Sequence, residues 1–217
     1  MEERTNGHIE VIAGGMFSGK SEELVRRMRR AVIARQRVQV FTPKVDTRHE
    51  GQRVVTRDNR ELDAEAVTDS RELRQKLHWG VQVVGIDEAQ FFDLGLAELL
   101  NDLADHGVRV IVAGLDQDFR RQPFGPMPAI LATAEYVDKV HAICVRCGAP
   151  AHYSQRTAGG GEQVQVGDTE SYEARCRRCF DEFRPEPILP VAESEPVQRE
   201  ATPATAKPDA VKQSGIG

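Results

Sequence analysis

Residues Gly14 to Ser21 read Gly-Gly-Met-Phe-Ser-Gly-Lys-Ser, which satisfies G-x-x-x-x-G-K-[ST] at every place. Each position has a task that exists only in one setting. The glycines let the backbone curl until successive N–H groups converge on phosphate oxygens. A helix that starts directly afterwards adds the positive end of its dipole. Lys20 can neutralise β- and γ-phosphate charge, and Ser21 can offer an oxygen to Mg²⁺. The setting must be strand, turn, helix, and the flanks supply it. His8–Ala13 (HIEVIA) reads as a strand, and residues 19–36 repeat Leu24, Met28 and Val32 along a helix, with arginines on the other side. Gly14, Gly15, Met16, Phe17, Ser18, Gly19, Lys20 and Ser21 are therefore the candidate ATP-binding residues.

A phosphate cradle of this kind needs a carboxylate at the end of a neighbouring buried strand, to hold Mg²⁺ through its water shell. Gln82–Asp87 (QVVGID) is such a strand, and Asp87 is the metal-side candidate beside Ser21. Glu88 follows and faces differently. It can take a proton from an acceptor hydroxyl or orient an attacking water. The run Asp87-Glu88-Ala89-Gln90 also occurs in the second motif of helicases, but a chain of 217 residues has no room for a second motor domain.

Further strands are expected at residues 38–42 and 108–115, and another over 136–143, with helices at 70–77 and 97–106. Short alternating runs at residues 53–56 and 61–67 flank an Asp58-Asn59 turn signal and predict a hairpin. Strands alternating with helices imply an α/β fold, a mostly parallel sheet with helices on both faces.

Four cysteines fall in two pairs, Cys144-x-x-Cys147 and Cys176-x-x-Cys179. Two such turns deliver four thiolates to a tetrahedral Zn²⁺, and four thiolates leave no open position for catalysis, so the zinc is structural. Redox pairs are the alternative. The 28 residues between the knuckles exceed a simple zinc ribbon and carry a glycine-rich stretch and an alternating Val-Gln-Val segment. They read as a loop stapled at its base, either a plain surface loop or a flap whose backbone pairs with a ligand. Three regions are expected: 1–142 as the nucleotide-binding core, 143–183 as the zinc module and 184–217 as a disordered tail. Six of eleven prolines and no aromatic residue lie in the tail.

The net charge of -5 argues against non-specific nucleic-acid binding and favours reading the helix arginines as a solvated face. Apolar runs are strand-sized, short of the ~20 residues a membrane helix needs. The polar N-terminal residues lack a signal-peptide core, which leads to an expected cytoplasmic location.

Five blocks together resemble the zinc-containing, non-herpesviral thymidine kinases: Gly14–Leu24, Asp46–Arg48, Ile86–Phe92, Leu115–Gly125 and the two cysteine knuckles around a loop ending in Tyr172. The resemblance runs from about His8 to Phe183. It implies that Glu88 is the catalytic base, removing the proton of the thymidine 5′-hydroxyl as that oxygen attacks the ATP γ-phosphate. It implies nucleotide contacts at Asp46, Thr47, Arg48, Asp87, Glu88, Ala89 and Gln90. Phe119 would be the nucleobase platform and Met16 would lie near the base methyl. The inter-knuckle loop would be a lasso whose Gln163, Val164, Gln165, Val166 and Gly167 read the thymine edge, with Tyr172 holding the nucleoside. Deoxyuridine is a second acceptor to expect, dTTP a feedback inhibitor, and a homotetramer the assembly. Gly15 stands where animal members carry proline, Ala89 where they carry glycine, and Ser154 where threonine is expected. None of these removes a reacting group.

Overall fold

The computed structural model describes residues 7–44, 53–55, 61–157 and 171–180, all within one unit. Strand β1 (His8–Ala13) leads through the glycine turn into helix α1 (Lys20–Ile33) and then β2 (Val38–Pro43). A short pair, β3 (Arg53–Val55) and β4 (Glu61–Asp63), precedes β5 (Glu65–Val67) and α2 (Ser70–Lys76). Next come β6 (Val83–Ile86), α3 (Leu96–Asp105), β7 (Arg109–Gly114), α4 (Met127–Thr133) and β8 (Tyr136–Lys139). Two hairpin pairs close the described part: β9 (Ala142–Ile143) with β10 (Pro150–Ala151), and β11 (Tyr153–Arg156) with β12 (Tyr172–Arg175).

Six strands form one sheet in the order β5–β2–β6–β7–β1–β8, and every neighbouring pair is parallel. A parallel sheet must be covered on both faces, and this one is. Along β1, Ile9, Val11 and Ala13 join the cluster that contains Leu73 of α2, Leu96, Leu99 and Leu100 of α3, and Met127 and Ile130 of α4. Ile12 points the other way, into the cluster with Leu24, Val25, Met28 and Ala31 of α1. Full burial of each large side chain contributes about 1.5–3 kcal/mol. Gly85 on β6 admits α1 closely, since a Cβ there would lie 3.0 Å from the Met28 sulfur.

Three local expectations change. Val32 is half exposed, and the buried stripe of α1 is Leu24, Val25, Met28 and Ala31. A spacing of four overshoots a 3.6-residue turn, so by the second repeat Val32 has rotated off the face. The expected hairpin run over 61–67 divides. β4 pairs antiparallel with β3, whereas β5 leaves the hairpin and adds a parallel strand beside β2. The Asp58-Asn59 turn lies outside the described residues. Finally, α4 was not expected, because Pro126 and Pro128 mask it. Proline fits a helix's first turn, where its missing N–H has no partner to lose.

All six strands run the same way, so their carboxyl ends share one edge. Gly14, Asp87, Leu115 and Val140 lie there, the place where open α/β sheets bind ligands. The cysteine module docks on the same edge: Phe17 of the glycine turn packs on the cluster of Ala142, Cys144, Ala151, Ala174 and Cys176. Among the described residues no helix is long and apolar enough to cross a membrane.

Candidate functional site

The glycine turn is held from both sides. A Cβ on Gly14 would lie 2.2 Å from the Val140 carbonyl oxygen, so only glycine fits between β1 and β8. Gly19 takes a left-handed conformation (φ 84°) as the cap that starts α1. Ser18 Oγ donates to the Gly15 carbonyl at 2.8 Å, and Lys20 Nζ donates to the same oxygen at 2.9 Å. The Met16 N–H donates to Ser154 Oγ of β11 at 2.9 Å, which ties the turn to the cysteine module. Lys20 and Ser21 open α1, so the lysine sits over the dipole's positive end.

Lys20 is buried, and burial pulls its pKa down against the opposing pull of Glu88, Asp87 and Asp116. Asp87, at the end of β6, shows the complementary effect. Burial and the Glu88 charge raise its pKa to about 7, while a hydrogen bond with Ser21 works in the other direction. Lys20, Ser21, Asp87 and Glu88 therefore lie close enough to influence one another's charge. A buried cation facing two carboxylates and a hydroxyl is a donor set suited to a triphosphate with a divalent cation. Hard oxygen ligands such as those of Ser21 and Asp87 are what Mg²⁺ selects.

Glu88 stands in a left-handed conformation, φ 50° and ψ 40°, immediately before the 3₁₀ turn Ala89–Phe91. Its N–H donates to Asp87 Oδ1 at 3.0 Å. Gln90 is buried, and both ends of its amide are engaged. Nε2 donates to Glu88 Oε2 at 2.5 Å, and Oε1 accepts from the Leu115 N–H at 2.9 Å. Ala89 is buried in the core cluster.

Phe119 follows β7 in a turn shaped by Asp118, whose Oδ1 accepts from the N–H groups of Arg120 and Gln122 at 2.8 and 2.9 Å. The Arg156 guanidinium lies 3.7 Å from the centre of the Phe119 ring. Arg156 also donates to the Tyr172 hydroxyl, from Nε at 3.0 Å and from Nη2 at 2.6 Å. Phe119 and Tyr172 are thus joined through a residue the sequence reading did not single out. No linear signal marks Arg156; its meaning comes from the antiparallel pairing that sets it opposite Tyr172. Just past that pair, the Thr157 N–H donates to the Ser171 carbonyl at 2.9 Å, closing the neck of the intervening loop. Asp46, Thr47, Arg48 and Gln163 to Gly167 lie outside the described residues, as does the expected 184–217 tail.

The sulfur atoms of Cys144, Cys147, Cys176 and Cys179 all lie within 4.8 Å of one another. Tetrahedral zinc with bonds of about 2.3 Å sets sulfurs about 3.8 Å apart, so the cluster fits that ion with little adjustment. Burial raises the Cys144 thiol, yet N–H groups of Cys176, Arg146 and Cys147 donate to its sulfur and bring it down to about 6. Backbone donors favour thiolate at Cys144, whereas the neighbouring Cys147 sulfur, burial and the other sulfurs push the Cys179 thiol up to about 12.

The thymidine kinase family's sequence model matches residues 7–180. A thymidine kinase of Bacteroides fragilis (strain YCH46) is 52% identical over 179 residues, which cover 82% of this chain and 89% of that protein. A thymidine kinase of Porphyromonas gingivalis (strain ATCC 33277) is 54% identical over 174 residues, 80% of this chain and 85% of that one. A thymidine kinase of Rhodothermus sp. (strain ITI 518) is 54% identical over 179 residues, 82% of this chain and 84% of that one.

Proposed function

The chain belongs to the thymidine kinase family and has thymidine kinase activity, with a nucleoside and ATP as substrates, and from that premise we propose how its residues divide the work. Glu88 is the general base. Its carboxylate takes the thymidine 5′-hydroxyl proton as that oxygen bonds to the γ-phosphorus, and the bond to the β,γ-bridging oxygen breaks to release ADP. Lys20 and the N–H groups of residues 14–21 hold the triphosphate. Ser21 and Asp87 would hold Mg²⁺, which would neutralise triphosphate charge when bound. Gln90 aims the Glu88 carboxylate. Phe119 is the base platform, Met16 borders the base, and Tyr172 holds the nucleoside beneath a loop whose residues 163–167 read the thymine edge. Contacts from Asp46, Thr47 and Arg48 complete the nucleotide site.

The observation that carries this reading is the meeting of the glycine turn and the start of α1 with the end of β6 on one edge of the parallel sheet, where Asp87 and Glu88 act on the buried Lys20 charge. The family resemblance extends it to a structural zinc module over 143–183, a core over 1–142 and a separate tail. It also extends it to deoxyuridine as second acceptor, dTTP as feedback inhibitor, a homotetramer and a cytoplasmic location. ADP release measured with and without thymidine, in the wild type and in Phe119→Leu, tests it. Thymidine should raise ADP release by ~10²-fold or more, since a site that excludes water spares ATP until the acceptor arrives. Phe119→Leu should raise the thymidine KM by ~10-fold and leave the ATP KM unchanged. Equal ADP release without thymidine would instead make Glu88 a water-activating residue.

A further inference from the structure

We propose that Arg156 is a positioning residue of the nucleoside site, clamping the Phe119 platform to Tyr172 so that base stacking and loop anchoring act as one unit. The inference rests on the reading of Phe119 and Tyr172 as nucleoside contacts. Arg156 is 7% exposed, so its charge is held away from bulk water. A guanidinium tolerates such burial when its flat face meets an aromatic ring and its edge finds acceptors. Both conditions are met, with the Phe119 ring centre at 3.7 Å and the Tyr172 hydroxyl reached by two nitrogens at 3.0 and 2.6 Å.

The three residues come from separate parts of the chain. Phe119 belongs to the turn after β7. Arg156 ends β11, and Tyr172 begins β12 directly across from it. Two guanidinium–ring contacts join the β7 turn to the β11–β12 hairpin among the described residues, Arg121 over Tyr153 at 4.8 Å and Arg156 over Phe119 at 3.7 Å, and only the second reaches the platform ring. The Arg156 guanidinium at 3.7 Å from the ring centre, with that of Arg120 at 5.0 Å, restrains the ring's orientation. A base that stacks there meets a surface already oriented, and less ordering entropy is lost on binding. The same side chain fixes where the loop re-enters the hairpin, one residue from the closed neck at Thr157 and Ser171. Lysine could keep the charge but not the plane or the two-nitrogen grip on one oxygen.

Steady-state kinetics and melting temperatures of Arg156→Lys, Tyr172→Phe, Phe119→Leu and the Arg156→Lys/Tyr172→Phe double variant test the proposal. Arg156→Lys should raise the thymidine KM by ~10-fold or more, with the ATP KM unchanged and kcat lowered less than ~3-fold. Tyr172→Phe, which removes only a hydroxyl and keeps the ring, should shift the thymidine KM in the same direction. Adding it to Arg156→Lys should raise KM by less than ~2-fold further, because both changes break one bridge. A thymidine KM within ~2-fold of wild type in Arg156→Lys, alongside a raised KM in Phe119→Leu, would overturn the clamp and leave the platform reading intact. An unchanged KM in Phe119→Leu would instead remove the platform itself. Equal increases in the thymidine and ATP KM of Arg156→Lys, with a lowered melting temperature and fully additive double-variant effects, would mean general structural damage and also overturn the proposal.

Discussion

Glu88 occupies a backbone region that a side chain disfavours, at φ 50° and ψ 40°. Such a residue costs about 1–3 kcal/mol and persists only where its neighbours hold it. Here they are Asp87, which accepts the Glu88 N–H, and Gln90, which grips the carboxylate. The other end of the Gln90 amide is bound by the Leu115 N–H, so the carboxylate is referenced to the end of β7, four residues before Phe119. That arrangement predicts a division of effects. Gln90→Leu should lower kcat by ~10- to 100-fold while the thymidine and ATP KM values stay within ~3-fold, since a base displaced by a fraction of an ångström loses rate before binding. Raised KM values with unchanged kcat would make Gln90 a direct ligand contact. The family resemblance places Gln90 among the nucleotide contacts. That its amide is taken up by Leu115, 25 residues on, is a tertiary fact with no linear signature.

At the scale of elements, β1 and α1 are joined by charge as well as apolar contact. Glu10 points to the α1 face, where Arg27 Nη1 and Arg109 Nε donate to its carboxylate at 2.7 and 2.6 Å. Burial opposes its ionisation, but the hydrogen bonds from Arg109, Arg27 and His8 and the Arg109 charge together outweigh burial and hold its pKa below 4.5. Glu23, bonded to Arg26 and Arg27, is lowered to about 2. Both folded values lie below the unfolded ones, so the stabilisation is complete above pH 4.5 and drains away as pH falls toward 2. Glu10→Gln should cost about 1–3 kcal/mol at neutral pH. The gap between wild-type and Glu10→Gln melting temperatures should narrow as the solution is acidified below pH 4.5. A gap independent of pH would show that packing, not the ion pairs, joins these elements. Element types were legible because β6 and β7 are largely apolar runs, β1 is apolar apart from His8 and Glu10, and α1 and α3 carry helical spacing. The destination of β5 was not: three residues following a hairpin can continue the pair or cross to another sheet, and only the vacant edge of β2 decides it.

For the whole molecule, the glycine turn, the strand end at Asp87 and the cysteine module meet at one edge, and the module's fit to zinc gives it a structural role there. Ser154 and Phe17 are the physical links between module and turn. Purified enzyme should carry about one zinc per chain, and its removal by a chelator should lower the melting temperature and raise the thymidine KM more than the ATP KM. An active, folded sample without zinc would end the structural-zinc assignment. The glycine turn and the cysteine pairs were legible because contiguous or closely spaced residues carry them. The joining of Phe119, Arg156 and Tyr172 was not, because it needs three segments folded together. The central claim is that the Glu88 carboxylate, aimed from the end of β6 into the pocket of Lys20, removes the acceptor proton. Glu88→Gln keeps the shape and removes the base, so its single-turnover rate of thymidine phosphorylation is the most direct measurement. A fall of ~10²-fold or more with ATP and thymidine binding retained is the predicted result; a rate equal to wild type would contradict it.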